Sequence, residues 1–325
     1  MAASDQIKSL IKSFGEGDDA RFFASAMQIA ASEARKGHTA FAQDLKSLIE
    51  SARKDRSTIQ FEHGKIVNIS PTKRELNELI EIFKPRVNLD DMVLDTDIRQ
   101  KLNKLVEEQK KWEILRHHNL FPIRKLLLTG APGTGKTMTA HAIAGELGLP
   151  VFIIRLDGLL SKYMGESIVK LRLIFDMMPS QRAVYLFDEF DSIGSHRNLG
   201  HDVGEIKRVL NSFLINIEKD NSNSIIIAAT NLPDSLDLAL FRRFDEIIKY
   251  PLPSQDEIVI AFRKYTALFS FDKRPNFNDI SKQAKGLNYS DIAKICESTI
   301  KQMILAGTKK LNTNFLVAAI HNKAS

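Results

Sequence analysis

Residues 125–137 read KLLLTGAPGTGKT, an apolar run followed by a glycine-rich loop that ends in lysine and threonine. From Gly130 onward the loop fits the pattern G-x-x-x-x-G-K-[ST] at every fixed position. A phosphate group is held by several backbone N–H groups that point inward, and glycines let the backbone curl that tightly. The stretch MTAHAIAGEL that follows is typical of a helix, whose N-terminus attracts anions. The sequence therefore predicts a strand, a phosphate-binding loop and a helix in succession.

The side chains of this loop predict a site for ATP and Mg²⁺. Lys136 supplies a mobile cation for the β and γ phosphate oxygens, and Thr137 offers its hydroxyl to Mg²⁺. The other predicted nucleotide-binding positions in the loop are Gly130, Ala131, Pro132, Gly133, Thr134, Gly135 and Met138.

Two more apolar runs end in polar side chains that suit phosphate chemistry. The run AVYLF carries Asp188, a predicted Mg²⁺ ligand, and Glu189, predicted to orient and deprotonate the attacking water. Asn231 closes the run SIIIAATN and is predicted to position that water. Taken alone, an acid at a strand end can cap a helix, and an asparagine there can serve an ordinary turn. Their combination with the phosphate loop favours the catalytic interpretation.

Alternating apolar runs and helical patterns predict an α/β fold with a parallel sheet covered by helices. The predicted strands are 125–129, 151–156, 183–187, 224–230 and 246–250. We assign the large α/β ATPase subdomain to residues 89–252. Residues 253–325 are predicted to form helices without strands, and one of these helices starts at Asn288 with Asp291 three residues on.

The region before this subdomain divides into two parts. Residues 1–54 predict a small helical module, which is either a packing or oligomerisation unit or an adaptor for a partner. Residues 55–88 predict a linker with a hairpin around Gly64 and a short helix from about Pro71 to Phe83.

Composition indicates an ordinary folded protein. The 325 residues are 43% apolar and 26% charged, and no apolar run approaches the roughly 18 residues of a membrane span. A single cysteine, Cys296, excludes an internal disulfide framework, so we expect a cytoplasmic protein without membrane contact. The net charge of +6 permits contact with nucleic acid, but the basic residues are spread along the chain and favour a solvated surface.

The motifs, in this order, resemble those of the AAA+ ATPases and, within them, the classical AAA group, over about residues 89–305. SKYMGES at 161–167 is similar to the first pore loop of AAA translocases, AATNLPDSLD to their sensor-1 segment, FRRFD at 241–245 to their arginine-finger segment, and GLNYSDI at 286–292 to the start of their lid helix. The resemblance implies a P-loop NTPase sheet with a C-terminal helical lid. It also implies rings of identical subunits, commonly hexamers, with ATP at the subunit boundaries.

The resemblance assigns further site residues. Tyr163 would grip an extended polypeptide in a central channel; the alternative is a tyrosine packed on a surface helix. Arg242 and Arg243 are adjacent, whereas the family spaces its two arginines, so the choice of finger stays open and we favour Arg243; pairing with Asp245 or Glu246 is the structural alternative.

Two other segments match family positions. Asp91 and Met92, in LDDMVL, match the segment that often lines the adenine. Residues 194–204 lie where a second pore loop is common, although a plain surface loop explains their glycine-rich, polar composition equally well.

These features favour a ring-forming protein remodeller or unfoldase that acts on a protein substrate. The chain has no H-E-x-x-H or G-x-S-x-G motif of its own, and its layout is similar to compact bacterial AAA ATPases paired with subtilisin-like proteases in phage (antiviral) defence. The alternatives are a nucleic-acid-associated ATPase, which the basic charge supports weakly, and an ATP-gated switch that threads nothing.

Overall fold

The computed structural model of the protein describes most of the chain. The described residues are 19–35, 37–56, 61–62, 65–66, 79–156, 166–194, 203–236, 238–273 and 275–324.

Helices and strands alternate through the described residues. The helices are α1 Asp19–Arg35, α2 Thr39–Arg56, α3 Thr96–Lys110, α4 Trp112–His117, α5 Lys136–Leu147, α6 Glu166–Met177, α7 Asp191–Gly194, α8 Val203–Lys219, α9 Leu238–Phe241, α10 Gln255–Tyr265, α11 Phe277–Gln283, α12 Tyr289–Leu305 and α13 Thr313–Ala324. The strands are β1 Phe61–Glu62, β2 Lys65–Ile66, β3 Ile80–Phe83, β4 Lys125–Gly130, β5 Val151–Arg155, β6 Val184–Asp188, β7 Ile225–Thr230, β8 Glu246–Tyr250, β9 Ser270–Phe271 and β10 Lys310–Leu311. Two short 3-10 turns cover Leu89–Asp91 and Pro233–Ser235.

The chain divides into two compact units, Met1–Ser70 and Pro71–Ser325. In the first unit, α1 and α2 pack through Ala26, Ala30 and Ile49. Strands β1 and β2 pair antiparallel, which confirms the predicted hairpin around position 64. The finer domain boundaries at 54, 88 and 252 remain predictions.

The second unit is built on a six-stranded sheet, within the described residues, in the order β3-β5-β6-β7-β4-β8. The five predicted strands all form and run parallel to one another. The edge strand β3 is antiparallel to β5, with Ile80 opposite Ile154. The predicted helix from about Pro71 to Phe83 is therefore wrong over 80–83, because pairing with β5 imposes an extended backbone there.

Successive side chains of a strand point to opposite faces of a sheet, and helices cover both faces here. Leu186 of β6 lies in the cluster formed with α3 and α5, on one face. The next residue, Phe187, lies on the other face, where its ring contacts Phe175 of α6 and Phe213 of α8 at centroid distances of 5.8 and 5.0 Å. A strand buried on both faces reads as a continuous apolar run, which explains the runs in the sequence.

Residues after β8 form a helical lid with its own core of Ile258, Phe262, Ile292, Cys296 and Leu316 among others. Burial raises the pKa of the Cys296 thiol to about 12, so this cysteine is a packing residue. The lid is not free of strands as predicted, because β9 and β10 form a short parallel pair.

The predicted helix start in the lid is confirmed. The side chain of Asn288 caps α12 by accepting a hydrogen bond from the Asp291 backbone N–H at 2.8 Å. No helix among the described residues has the length and apolar character that crossing a bilayer requires.

Candidate active site

The carboxyl ends of β4, β6 and β7 meet at one edge of the sheet, where parallel α/β folds bind ligands. The loop after β4 leads into α5, and β7 lies between β4 and β6. Although one strand separates them, Thr137 Oγ1 donates a hydrogen bond to Asp188 Oδ2 at 2.7 Å. The two predicted Mg²⁺ ligands thus lie side by side. Mg²⁺ is often bound by one or two protein oxygens together with phosphate oxygens and water, and this pair fits that need.

The loop backbone has the shape that its glycines predict. Gly130, Gly133 and Gly135 have φ angles of 146°, 73° and 106°, in the region that residues with a Cβ rarely adopt. A Cβ on Gly130 would lie 2.2 Å from the Tyr250 carbonyl oxygen, so β8 leaves no room for a side chain. Thr134 Oγ1 closes the turn by donating to the Ala131 carbonyl oxygen at 2.8 Å. At the same loop, Pro132 is exposed and Met138 packs against the core.

Lys136 is buried, with only 6% of the residue exposed. The three protons of its ammonium group all have acceptors. Nζ donates to the carbonyl oxygens of Gly130 and Ala131, at 2.8 and 2.9 Å, and to Asn231 Oδ1 at 2.8 Å. Burial lowers the pKa of Lys136, and the negative charge of Asp188 opposes that shift. A buried cation without an ion-pair partner among the described residues is a group that an anionic ligand would stabilise.

Asp188 and Glu189 are adjacent in sequence but differ in their contacts. While Asp188 Oδ2 faces Thr137, its Oδ1 accepts the Glu189 backbone N–H at 2.9 Å. Glu189 has a φ of 50°, a left-handed conformation that costs a non-glycine residue on the order of 1 kcal/mol. Its side chain is exposed at the sheet edge, and its carboxylate hydrogen-bonds to no group in the described part of the chain.

Sequence reasoning missed the residue that positions Asn231. Asp191, at the start of α7, accepts hydrogen bonds on Oδ1 from Thr230 Oγ1 and from the Asn231 backbone N–H, each at 3.1 Å. This carboxylate ties the end of β7 to the turn after β6. The signal was present in the string DEFD at 188–191, where a second aspartate follows the first by three residues.

The lid touches the phosphate loop directly. The Ser290 backbone N–H donates to the Gly133 carbonyl oxygen at 3.2 Å, and a Cβ on Gly133 would lie 2.5 Å from Asn288 Oδ1. The predicted adenine segment lies near this junction, because Met92 packs in the core of the sheet while the next residue, Val93, packs in the lid core.

The two residues predicted to line the adenine differ in their contacts. The Met92 methyl group lies 3.3 Å from where a Cβ of Gly135 would be, so it reaches the phosphate loop. Asp91 Oδ2 instead accepts the Asn88 backbone N–H at 2.9 Å and caps the 3-10 turn.

The arginine pair lies at the amino ends of the parallel strands, whereas the phosphate loop lies at their carboxyl ends. Arg242 and Arg243 precede β8, which runs parallel to β4, whereas the phosphate loop follows β4. The five residues of β8 span about 16 Å at roughly 3.3 Å per residue, which separates the two edges.

The structural alternative for these arginines involves different acids from those expected. Arg243 Nη2 forms an ion pair with Glu218 Oε2 at 3.1 Å, and Arg242 is exposed. Asp245 Oδ2 accepts the backbone N–H groups of Arg124 and Lys125 instead, while Glu246 pairs with Lys101. Pairing of Arg242 or Arg243 with Asp245 or Glu246 is therefore wrong. The predicted pore residue Tyr163 and most of 194–204 lie outside the described residues.

Comparison with known proteins agrees with this geometry. Residues 126–252 match the family model described as ATPase family associated with various cellular activities (AAA). The whole chain is 32% identical, over 326 aligned positions that cover 96% of the relative, to an uncharacterized AAA family ATPase of Sinorhizobium fredii. The chain belongs to the AAA ATPase family.

Other relatives are matched over part of the chain. A proteasome-activating nucleotidase of Saccharolobus islandicus is 34% identical over 78% of this chain and 67% of its own length. A peroxisomal ATPase of Schizosaccharomyces pombe is 32% identical over 76% of this chain but only 27% of its own length. The matches support a mixed α/β ATPase that hydrolyses ATP.

We expect Asp191→Ala to lower kcat for ATP hydrolysis about tenfold, because losing two hydrogen bonds of about 1 kcal/mol each frees the Asn231 backbone. ATP affinity should hold, since Asp191 contacts no group of the phosphate loop. Steady-state hydrolysis and a nucleotide titration measure the two quantities. The matched control is Asp234→Ala, an exposed acid on the neighbouring 3-10 turn. A kcat equal to that of the control would remove Asp191 from this positioning role.

Proposed function

We propose that this AAA ATPase hydrolyses Mg²⁺-bound ATP at the edge formed by β4, β6 and β7 and uses the energy to remodel proteins as a ring of identical copies. The observation that carries the chemistry is the convergence of Lys136, Thr137, Asp188 and Asn231 from three strand ends within hydrogen-bonding distance. These groups are the cation, the metal ligands and the polar amide that phosphoryl transfer needs.

The proposed roles follow from the contacts of each side chain. Lys136 exchanges the carbonyl oxygens of its own loop for β and γ phosphate oxygens, which compensates its buried charge. Thr137 and Asp188 hold Mg²⁺, which when bound neutralises charge that develops on the phosphates. Glu189, exposed beside them, accepts the proton of the attacking water, and Asn231 orients that water. Asp191 keeps Asn231 in place.

The position of the arginine pair supports a ring. Arg242 and Arg243 lie at the sheet edge opposite their own phosphate loop, so they cannot reach the ATP bound by the same sheet. Only another copy can offer them a γ-phosphate, and head-to-tail contacts of that kind form a ring when the rotation between copies closes. An arginine supplied in this way raises the rate of phosphoryl transfer by roughly 10³–10⁵. We favour Arg243, which Glu218 orients.

Protein remodelling is supported by two features. The segment SKYMGES around Tyr163 is similar to peptide-gripping pore loops, and one relative is named for activating a proteasome. A hexamer, a separate subtilisin-like protease partner and a part in antiviral defence are extensions of this proposal that rest on the resemblance of the layout. A nucleic-acid-associated ATPase is the second candidate, favoured by the net charge of +6.

Glu189→Gln should lower the rate of ATP hydrolysis about 10²–10⁴-fold because the amide cannot accept the proton, while ATP binding is retained. Lys136→Ala is the contrasting variant, for which ATP binding itself should weaken about tenfold or more through loss of a charge-assisted hydrogen bond. Hydrolysis and nucleotide retention are measured in parallel. Near-normal turnover in Glu189→Gln would contradict the proposed base.

An Arg243→Ala subunit mixed with a Lys136→Ala subunit should regain part of the activity that each lacks alone. Some mixed interfaces then pair an intact phosphate loop with an intact arginine from the neighbour. ATP hydrolysis is measured across mixing ratios, and the same mixture made with Arg242→Ala decides between the two arginines. Mixed rings that form but stay inactive with either arginine variant would contradict action between subunits.

Tyr163→Ala should leave ATP hydrolysis within a few-fold of the wild type and abolish unfolding of a test protein that carries an unstructured tail. The aromatic side chain of tyrosine offers a large, flat surface that packs against an extended chain. Phenylalanine keeps this surface, so Tyr163→Phe is the matched control and should keep the unfolding activity. Oligomeric size is checked in both variants. Full unfolding by Tyr163→Ala would contradict the gripping role of Tyr163. No unfolding by the wild type would favour the ATP-gated switch, and salt-dependent DNA binding together with that absence would favour the nucleic-acid alternative.

A further inference from the structure

A cavity of about 350 Å³ opens at the amino ends of the parallel strands, at the side of the sheet opposite the phosphate loop. We call it the arginine pocket. It is lined by Gln109, Trp112, Arg116, Phe121, Pro122, Arg124, Arg182 and residues 221–223. These residues come from α3, from α4 and the loop after it, and from the segments that precede β4, β6 and β7. All of them belong to the second compact unit of the chain.

The charges of the pocket do not balance. Arg124 is the arginine with an acidic partner, because its guanidinium binds both the carboxylate and the backbone carbonyl of Asp220. Arg116 Nη2 donates only to the Asn223 side-chain oxygen, at 2.6 Å, and Arg182 Nη2 to the Gln109 amide oxygen, at 3.4 Å. Among the described residues, neither of these two has a carboxylate within ion-pair distance.

Partial burial lowers the pKa of Arg182. Two unpaired guanidiniums that face one cavity create a site with a net charge near +2. A phosphate monoester carries about −1.5 to −2 charges at pH 7, and guanidinium groups bind phosphate oxygens in bidentate fashion.

The remaining walls fit a flat ring. The guanidinium of Arg116 lies 4.8 Å above the centre of the Trp112 ring, which fixes both groups at one wall. Phe121 is 78% exposed, an unusual position for a phenylalanine, and Pro122 continues the apolar surface. The side chains of Asn221 and Asn223 supply amide groups at the rim. A cavity of this volume lies at the lower end of the range of about 300–1,000 Å³ for small-ligand sites.

We infer that the arginine pocket binds a phosphate monoester attached to a planar ring, with Arg116 and Arg182 on the phosphate and Phe121 on the ring. A nucleoside monophosphate has this chemistry. It can come from two sources, a free mononucleotide or the 5′-phosphorylated end of a single strand. The site is separate from the ATP site, because the strands between the two sheet edges span roughly 16–20 Å.

Trp112 makes the proposal directly measurable, because it is the only tryptophan of the chain. Its fluorescence is titrated with AMP, UMP and ATP, with inorganic phosphate as competitor, in the wild type and in Lys136→Ala, whose ATP site is weakened. A parallel arm uses a short 5′-phosphorylated oligonucleotide and the same strand without its phosphate. The proposal predicts a saturable fluorescence change with a mononucleotide in both backgrounds, relieved by phosphate. A tighter, phosphate-dependent response to the oligonucleotide would identify a strand end as the source.

Arg116→Gln and Arg182→Gln should each weaken this binding about tenfold or more, since each removes a charge-assisted contact. The matched control is Arg172→Gln, an exposed arginine on α6 outside the pocket, which should bind as the wild type does. Basal ATP hydrolysis and thermal unfolding of all three variants should match the wild type, which separates lost binding from lost folding.

Three results would overturn the inference. The first is no saturable response to any mononucleotide or oligonucleotide at millimolar concentration. The second is a response that Arg116→Gln and Arg182→Gln leave unchanged. The third is a response confined to ATP that disappears in Lys136→Ala, which would assign these arginines to the ATP site of a neighbouring copy.

Discussion

The buried ammonium group of Lys136 is surrounded by acceptors from two strand ends, and the site is organised around it. A buried cation must have every proton bonded, which requires the carbonyl oxygens of Gly130 and Ala131 to turn inward. This backbone conformation requires glycine at 130, 133 and 135, where φ is positive. The third acceptor, the Asn231 side chain, lies at the end of β7 and is held by Asp191. Placing one charge therefore constrains the loop after β4, the end of β7 and the turn after β6.

Much of this arrangement could be predicted from the sequence, because local rules determine it. The phosphate loop has a spacing set by backbone geometry, and the five parallel strands are continuous apolar runs because both of their faces are buried. Asp188 and Asn231 could be placed at the same edge since parallel strands end together. The capping pattern of Asn288 and Asp291 predicted the start of a helix, which the structure confirms, and the family resemblance added that this helix belongs to a lid.

What could not be predicted depends on contacts between distant segments. Residues 80–83, IEIF, have no strong local preference, and their pairing with β5 makes them a strand. The pairs β9–β10 and Arg243–Glu218 likewise join residues that no short pattern connects. Asp191 is visible in the sequence as an acid, but only the fold shows that its carboxylate accepts hydrogen bonds from Thr230 and Asn231 at the end of β7. The arginine pocket is the extreme case, since its lining is gathered from five separate segments.

Under the proposed function, the two ends of the parallel strands let one chain carry both halves of an ATP site. The carboxyl edge carries the phosphate loop and its lid contact through Gly133 and Ser290, and the amino edge carries the arginine pair. Because the strands between them are buried and parallel, neither set can move toward the other without breaking the sheet. In the proposed ring, a change at the lid, which contacts Gly133 directly, would instead be passed to the copy whose arginine pair faces that ATP. The proposal therefore places the coupling of hydrolysis and movement at the boundary between copies.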